Sequence, residues 1–229
     1  MARIAIFNPT DQLGHVPGGI DSIIRGMLKW APADLHYTLF GATSDEGSRP
    51  VGQEVGDLFG NANSRFVPLT TIDPSSRRAV IPVTARYLFA LWRQKLRGRY
   101  RAFDALECHR METLWMFQRD ARPKNITVHQ DMSVIRDPGC DIMWRHAPWL
   151  YERLEGRVFH TAERINTVRQ SAVERYRRIY PDIASRIEFF PTWVDTTQFF
   201  PASGPQARRE ARQALRRTLG ISDENALSW

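Results

Sequence analysis

The feature that most restricts the fold of this sequence is an alternation. Short apolar runs that stop at polar or turn residues are followed, again and again, by stretches with apolar residues at helical spacing. Residues 3–7 (RIAIF) form the first run, halted by Asn8-Pro9, and read as a buried strand. Ile20, Ile23, Ile24, Met27 and Leu28 then mark one side of a helix that Pro32 ends. Further strands are expected at 36–41 (HYTLFG), 65–69 (RFVPL), 103–108 (FDALEC), 125–129 (NITVH), 165–168 (INTV) and 187–190. Helices are expected over 79–97, 141–154 and 171–179, with an apolar edge at 157–160 (RVFH). Residues 42–63, rich in Gly, Ser and Asp, read as loop with at most one helical turn. This alternation predicts an α/β fold: a doubly wound, mostly parallel Rossmann-like sheet with helices on both faces. Residues 1–200 form that domain. The tail differs, since residues 202–217 hold six charged residues in sixteen, five of them arginine, which suits a linker and an exposed helix.

Composition excludes several classes. A length of 229 residues suits one large α/β domain or two small ones. Two cysteines, Cys108 and Cys140, exclude a disulfide-stapled scaffold and a four-cysteine zinc site. No run of 18 apolar residues spans a bilayer. The apolar stretch before Asn8 is too short for a signal peptide, so a soluble, cytosolic protein is expected. The formal charge of +7 favours anionic partners, although 29 of the 32 cations are arginines and base composition accounts for such a bias equally well. No helix-turn-helix, aromatic-basic sheet motif or zinc knuckle accompanies the charge, so nucleic acid is not expected as a partner.

In an open parallel sheet, ligands bind beyond the carboxyl ends of the strands. Three segments fall there. The loop at 14–19 carries Gly14, Gly18 and Gly19, which let a backbone approach a ligand beside a helix N-terminus; a tight turn without a ligand is the plainer reading. Glu107-Cys108-His109-Arg110 and His129-Gln130-Asp131 each place a histidine just past a strand. Such a histidine polarises a reacting group or holds a sugar hydroxyl, or else simply satisfies a backbone carbonyl. Two of them on neighbouring strand ends favour function. His15, His36, His146 and His160 lack metal-ligand spacing, and no metal site is expected. The dinucleotide fingerprint, the Gly-Lys-Ser/Thr phosphate loop and the G-x-S-x-G elbow are absent. Val83, Tyr87, Leu88, Leu91 and Trp92 share one helical side, and Arg93, Lys95, Arg97, Arg99 and Arg101 follow directly. That pattern fits a helix lying on anionic lipid, with Trp92, Arg93, Lys95, Arg97 and Arg99 facing the membrane, or a core helix with a solvated end.

Three segments resemble the amino-terminal half of GT-B glycosyltransferases, most closely glycosyltransferase family 4. They are Gly18-Gly19 with IDSIIRGML, residues 162–168 (AERINTV) with the helix at 171–176, and residues 190–201 (FPTWVDTTQFFP). The last is similar to the family's interdomain hinge, with Thr192-Trp193 where Asn-Gly is usual. Arg169-Gln170 also stands where a serine is common, and residues 216–221 (RRTLGI) look like the approach to a second domain. Glu46 and Glu54 have the family's Glu-x7-Glu spacing but lie far before the hinge. The resemblance implies that 201–229 is a linker and the start of a second, nucleotide-sugar-binding domain. It implies a retaining transfer from a nucleotide sugar to a glycan or lipid-linked acceptor, without metal or other cofactor; the basic stretch at Arg93–Arg101 is what would seat the protein on the inner face of a membrane. His129 is the implied catalytic residue, Gly18 and Gly19 approach the donor, and His109, Asp131 and Arg136 hold the acceptor. A half-protein of this kind is expected to be inactive alone. Two other readings stay open: a non-catalytic interaction remnant of such an enzyme, and a nucleotide-dependent oxidoreductase or epimerase. Against the latter, Gly41-Ala42-Thr43 stands where an acidic residue should end the second strand.

Overall fold

The computed structural model describes residues 1–14, 18–73, 81–137, 139, 143–192 and 202–219. Two compact units are distinguished, Met1–Thr192 and Trp193–Trp229. In the second, the described residues form one helix, α7 (Pro205–Leu219). The hinge-like segment at 193–201 and the end of the RRTLGI segment lie outside the described residues.

The first unit is built on one sheet. Its strands are β1 (Ala2–Phe7), β2 (Leu35–Thr43), β3 (Val55–Leu58), β4 (Asn61–Thr71), β5 (Ala105–Cys108), β6 (Lys124–Val128), β7 (Arg164–Thr167) and β8 (Ile187–Phe189). They lie in the order β3-β4-β2-β1-β5-β6-β7-β8, and only β3 runs antiparallel to its neighbour. The helices are α1 (Gly19–Lys29), α2 (Val83–Leu96), α3 (Met111–Met116), α4 (Met132–Ile135), α5 (Pro148–Phe159) and α6 (Gln170–Ile179). Strand order reverses between β1 and β5, so the loops after these two strands part and open a crevice at their carboxyl ends.

Two apolar layers follow from strand alternation. Ile6, Leu39 and Phe66 pack with Ile24 and Leu28 of α1 on one face. On the other, Ala5, Phe7, Phe40, Leu106 and Ile126 pack under Tyr87 and Leu91 of α2 and the residues of α3, α5 and α6. Phe7 is the centre of this second layer, with ring centroids 5.5 Å from Phe40, 4.9 Å from Phe117 and 5.2 Å from Tyr100. Helices on both faces make the sheet doubly wound, as the alternation in the sequence predicts.

Several boundaries differ from the sequence expectation. The loop expected at 42–63 contains β3, which forms a hairpin with a longer β4 through a turn where Asp57, Phe59 and Gly60 have positive φ. The helix expected at 141–154 begins at Pro148, whose fixed φ suits the first helical position, and runs to Phe159. Residues 157–159 of the expected apolar edge are therefore its last turn. The short α3 and α4 were not expected, because six and four residues carry no readable period.

Candidate functional site

The crevice is built from segments that leave adjacent strands at the same end. Cys108 pairs with Ile126 across β5 and β6, so His109 leaves its strand level with Thr127, and His129 follows two residues further along, just past β6. Their rings stack, 5.2 Å between centroids and 18° between planes, and His109 Nδ1 lies 2.9 Å from His129 Nε2. One ring N–H must donate to the other ring's nitrogen. Beneath them, on the same strand face, the Thr127 hydroxyl donates to Glu107 Oε1 at 2.8 Å. Burial holds both histidines in the neutral form. It drives His109 well below the ordinary imidazole range, aided by His129, and takes His129 down to about 4, aided by the Arg110 cation. Burial raises Glu107 to about 7 against the hydrogen bond from Thr127.

A small cleft open to solvent lies over this pair. Ile20 of α1, Arg110, Trp144 and Tyr151 complete much of its wall. Trp144 is held in place: its indole N–H donates to Glu112 Oε1 at 2.7 Å, and its ring meets Tyr151 edge-on at 5.5 Å. The His109 Nε2 atom is buried without a hydrogen-bond partner among the described residues. Neutral, paired imidazoles beside an aromatic wall suit hydrogen bonding to a hydroxylated ring.

The loop that enters α1 is anchored by Asp11, a residue the sequence reading did not single out. Its Oδ1 accepts from the backbone N–H groups of Leu13 and Gly14, at 3.1 and 3.0 Å. Its Oδ2 accepts from the Ser44 backbone (2.7 Å), the Ser44 hydroxyl (2.6 Å) and the Arg49 guanidinium (2.8 Å). Burial opposes the charge, but the hydrogen bonds from Ser44 and Arg49 outweigh it and keep the carboxyl below its usual range. Gly18 caps α1 in an extended conformation, and Gly19 opens the helix with free space where a side chain would stand. His15 lies outside the described residues.

The remaining predicted residues go elsewhere. Asp131 is buried and accepts from the Val134 backbone N–H at the start of α4, and its Oδ2 lies 3.9 Å from Arg175. Arg136 is exposed and pairs with Glu152 at 3.3 Å. Neither lines the cavity, whereas His109 does. Trp92 and Arg93 on α2, and Arg97 and Arg99 just after it, are exposed, although Arg99 donates to the Gly52 carbonyl at 3.0 Å. Lys95 turns inward, its ammonium donating to the Met116 carbonyl and standing 5.0 Å from the Phe117 ring centroid. Sequence reasoning overlooked Trp144 and Tyr151, which lie well beyond His129 in sequence, and Glu112, three residues after His109 but on α3, a helix too short to be read.

No protein-family model matches the chain, and no curated protein matches it. Solved structures do. Sucrose-phosphate synthase from Thermosynechococcus elongatus superimposes with a TM-score of 0.66 at 15% identity, over 97% of this chain and 53% of that one. HepE from Anabaena, crystallised in complex with UDP, gives 0.53 at 12% identity, over 96% of this chain and 50% of that one. The chain thus spans about half the length of the structures it matches. At these identities the likeness shows the fold: a Rossmann-like lobe of the kind found in GT-B glycosyltransferases. No helix among the described residues is long and apolar enough to cross a membrane.

Proposed function

We propose that this lobe holds the acceptor in a glycosyltransferase that moves a sugar from a nucleotide-sugar donor to a glycan or lipid-linked acceptor, with retention of configuration. The His109–His129 pair carries the reading. It stands at the carboxyl ends of β5 and β6, beside the point where strand order reverses, within a fold shared with sucrose-phosphate synthase and with HepE, which was crystallised in complex with UDP. In this role His129 meets the donor sugar near its reacting carbon and Gly18-Gly19 approach the diphosphate. Catalysis is by positioning and by stabilisation of the departing diphosphate, which needs a closed cleft. The chain spans half of its structural neighbours, so the donor-holding wall comes from beyond the described lobe. Incubated with UDP-glucose and other activated sugars, residues 1–229 are expected to release no nucleoside diphosphate above background. A longer chain that carries a donor domain is expected to turn over, and its His129→Ala variant to lose at least a hundredfold. Equal turnover by the short and long chains rejects the reading.

The oxidoreductase reading has one foothold: Asp45 lies just past β2. That carboxylate already accepts from the Ser48 backbone N–H at 3.1 Å and lies 3.7 Å from Arg49. Thermal stabilisation by NAD, without any by UDP, would revive that alternative.

A peripheral membrane role is part of the same proposal. Tyr87 and Leu91 are buried, while Phe89, Trp92 and Leu96 are 59%, 47% and 67% exposed and form a second apolar stripe on α2. Residues 74–103 contain eight Lys and Arg and no acidic residue. An apolar stripe inside an acid-free basic segment matches an anionic bilayer surface. Flotation with phosphatidylglycerol vesicles is expected to recover the protein, and Trp92→Ala with Arg97→Glu to leave it in the unbound fraction. Undiminished recovery of that double variant removes α2 from the interaction.

A further inference from the structure

We infer that His109 is a positioning residue that fixes the tautomer of His129. Its Nδ1–H donates to His129 Nε2, so His129 keeps its own proton on Nδ1 and offers the cleft a hydrogen-bond donor, not a base. The assignment of the proton stands on geometry alone, whereas the meeting of His129 with a sugar rests on the glycosyltransferase reading.

The two rings meet through His109 Nδ1 and His129 Nε2, 2.9 Å apart. A neutral imidazole carries one N–H and one lone pair, and burial keeps both rings neutral. A single proton therefore lies between the two nitrogens, and its position sets both outer nitrogens together. If His109 Nδ1 holds it, His109 Nε2 is a bare lone pair and His129 Nδ1 is an N–H. If His129 Nε2 holds it, His109 Nε2 is an N–H and His129 Nδ1 is a lone pair. The same inner hydrogen bond forms in both cases, so the outer nitrogens decide between them.

Their surroundings differ. His109 is 5% exposed, and its Nε2 is sealed from solvent with no hydrogen-bond partner among the described residues. His129 is half-buried and lines the cleft, where water or a ligand serves its Nδ1 in either state. The sealed nitrogen therefore sets the choice. A buried N–H without an acceptor forfeits its whole hydrogen bond, and such groups are rare in folded proteins. A buried lone pair is served in part by neighbouring C–H groups, whose hydrogens carry partial positive charge. The state of lower energy keeps the lone pair inside and sends the N–H outward. In that state the acceptor nitrogen of His129 is occupied by His109, so the ring takes no proton from an attacking hydroxyl. It donates instead, to a hydroxyl or carbonyl oxygen of whatever enters the cleft.

Nitrogen–proton correlation spectra of residues 1–229, labelled with nitrogen-15 histidine and recorded at neutral pH, report which nitrogen of each ring is protonated. Signals of the pair are assigned by their loss in His109→Leu and His129→Leu. Both rings are expected to show the Nδ1–H pattern. A nitrogen–nitrogen coupling through the hydrogen bond is expected too, with the shared proton attached to His109 Nδ1. An Nε2–H pattern on either ring overturns the inference, as does an average of the two patterns. His109→Leu puts carbon where a nitrogen already lacks a partner, and its far-UV circular dichroism is expected to match the parent's. There His129 is expected to lose its single pattern and give averaged shifts. A fixed Nδ1–H pattern on His129 in the folded variant shows that other groups set the tautomer, and rejects the role of His109. If the variant unfolds, the coupling and the patterns in the parent chain decide the matter alone. The spectra involve no transfer chemistry. The expected tautomers together with absent turnover in a longer chain would reject the glycosyltransferase reading and leave the histidine pair as described.

Discussion

Asp11→Ala is expected to destabilise the first unit by about 3 kcal/mol, the order seen when one partner of a buried ion pair is removed. The Asp11 carboxylate is almost wholly buried and collects hydrogen bonds from Leu13, Gly14, Ser44 and Arg49. Removing it strands the Arg49 guanidinium and two loop N–H groups, and unties the end of β2 from the loop that leads into Gly18 and α1. The folded-state pKa of Asp11 is lowered, so its stabilisation is present above the unfolded carboxylate range and fades as the pH falls through the folded value. The acid side of a denaturation-midpoint profile should therefore be shallower in Asp11→Ala than in the parent chain. Superimposable midpoints would show that the loop is held by other contacts.

Glu155→Gln is expected to change how stability depends on pH. Glu155 is buried between α5 and α6, accepting from the Tyr176 hydroxyl at 2.8 Å and the Tyr180 hydroxyl at 3.2 Å. Burial raises its pKa to about 7, against the two tyrosine hydrogen bonds and Arg175. A carboxyl raised in the folded state favours folding while protonated. Its contribution is complete below the unfolded value near 4.5 and is lost as the pH climbs through about 7. Between these limits the parent chain should lose about 3 kcal/mol relative to Glu155→Gln, at 1.36 kcal/mol per pH unit. Comparing the two proteins cancels Glu107, which moves in the same direction, and the two histidines, whose lowered values act oppositely. Parallel urea-melt profiles at pH 4 and pH 8 would contradict the burial argument.

How much of this was legible depended on the range of the interactions involved. The strand at 3–7 and the stripe from Ile20 to Leu28 announce β1 and α1, because each buries one local, periodic set of side chains. Helix α2 announces itself too, but not its orientation. It carries an apolar stripe at Tyr87 and Leu91 and another at Phe89, Trp92 and Leu96, and only the sheet beneath decides which is buried. The hairpin of β3 and β4 was hidden by Gly56, Asp57 and Gly60, which read as loop until β4 supplies a partner. His109 and His129 were readable as strand-end histidines. Their contact, and the partners of Asp11 that lie 33 and 38 residues away, arise only from tertiary packing. Lys95 shows the same limit, since nothing local reveals that its ammonium serves the Met116 carbonyl.

The two imidazoles stand immediately past the last residues of neighbouring parallel strands, staggered by two residues in register, so strand ends rather than long loops carry them. Side chains exchanged into positions 109 and 129 would arrive already aligned, over a scaffold whose apolar layers need not change. Both positions are thus presented from backbone that the sheet itself holds, next to the cleft.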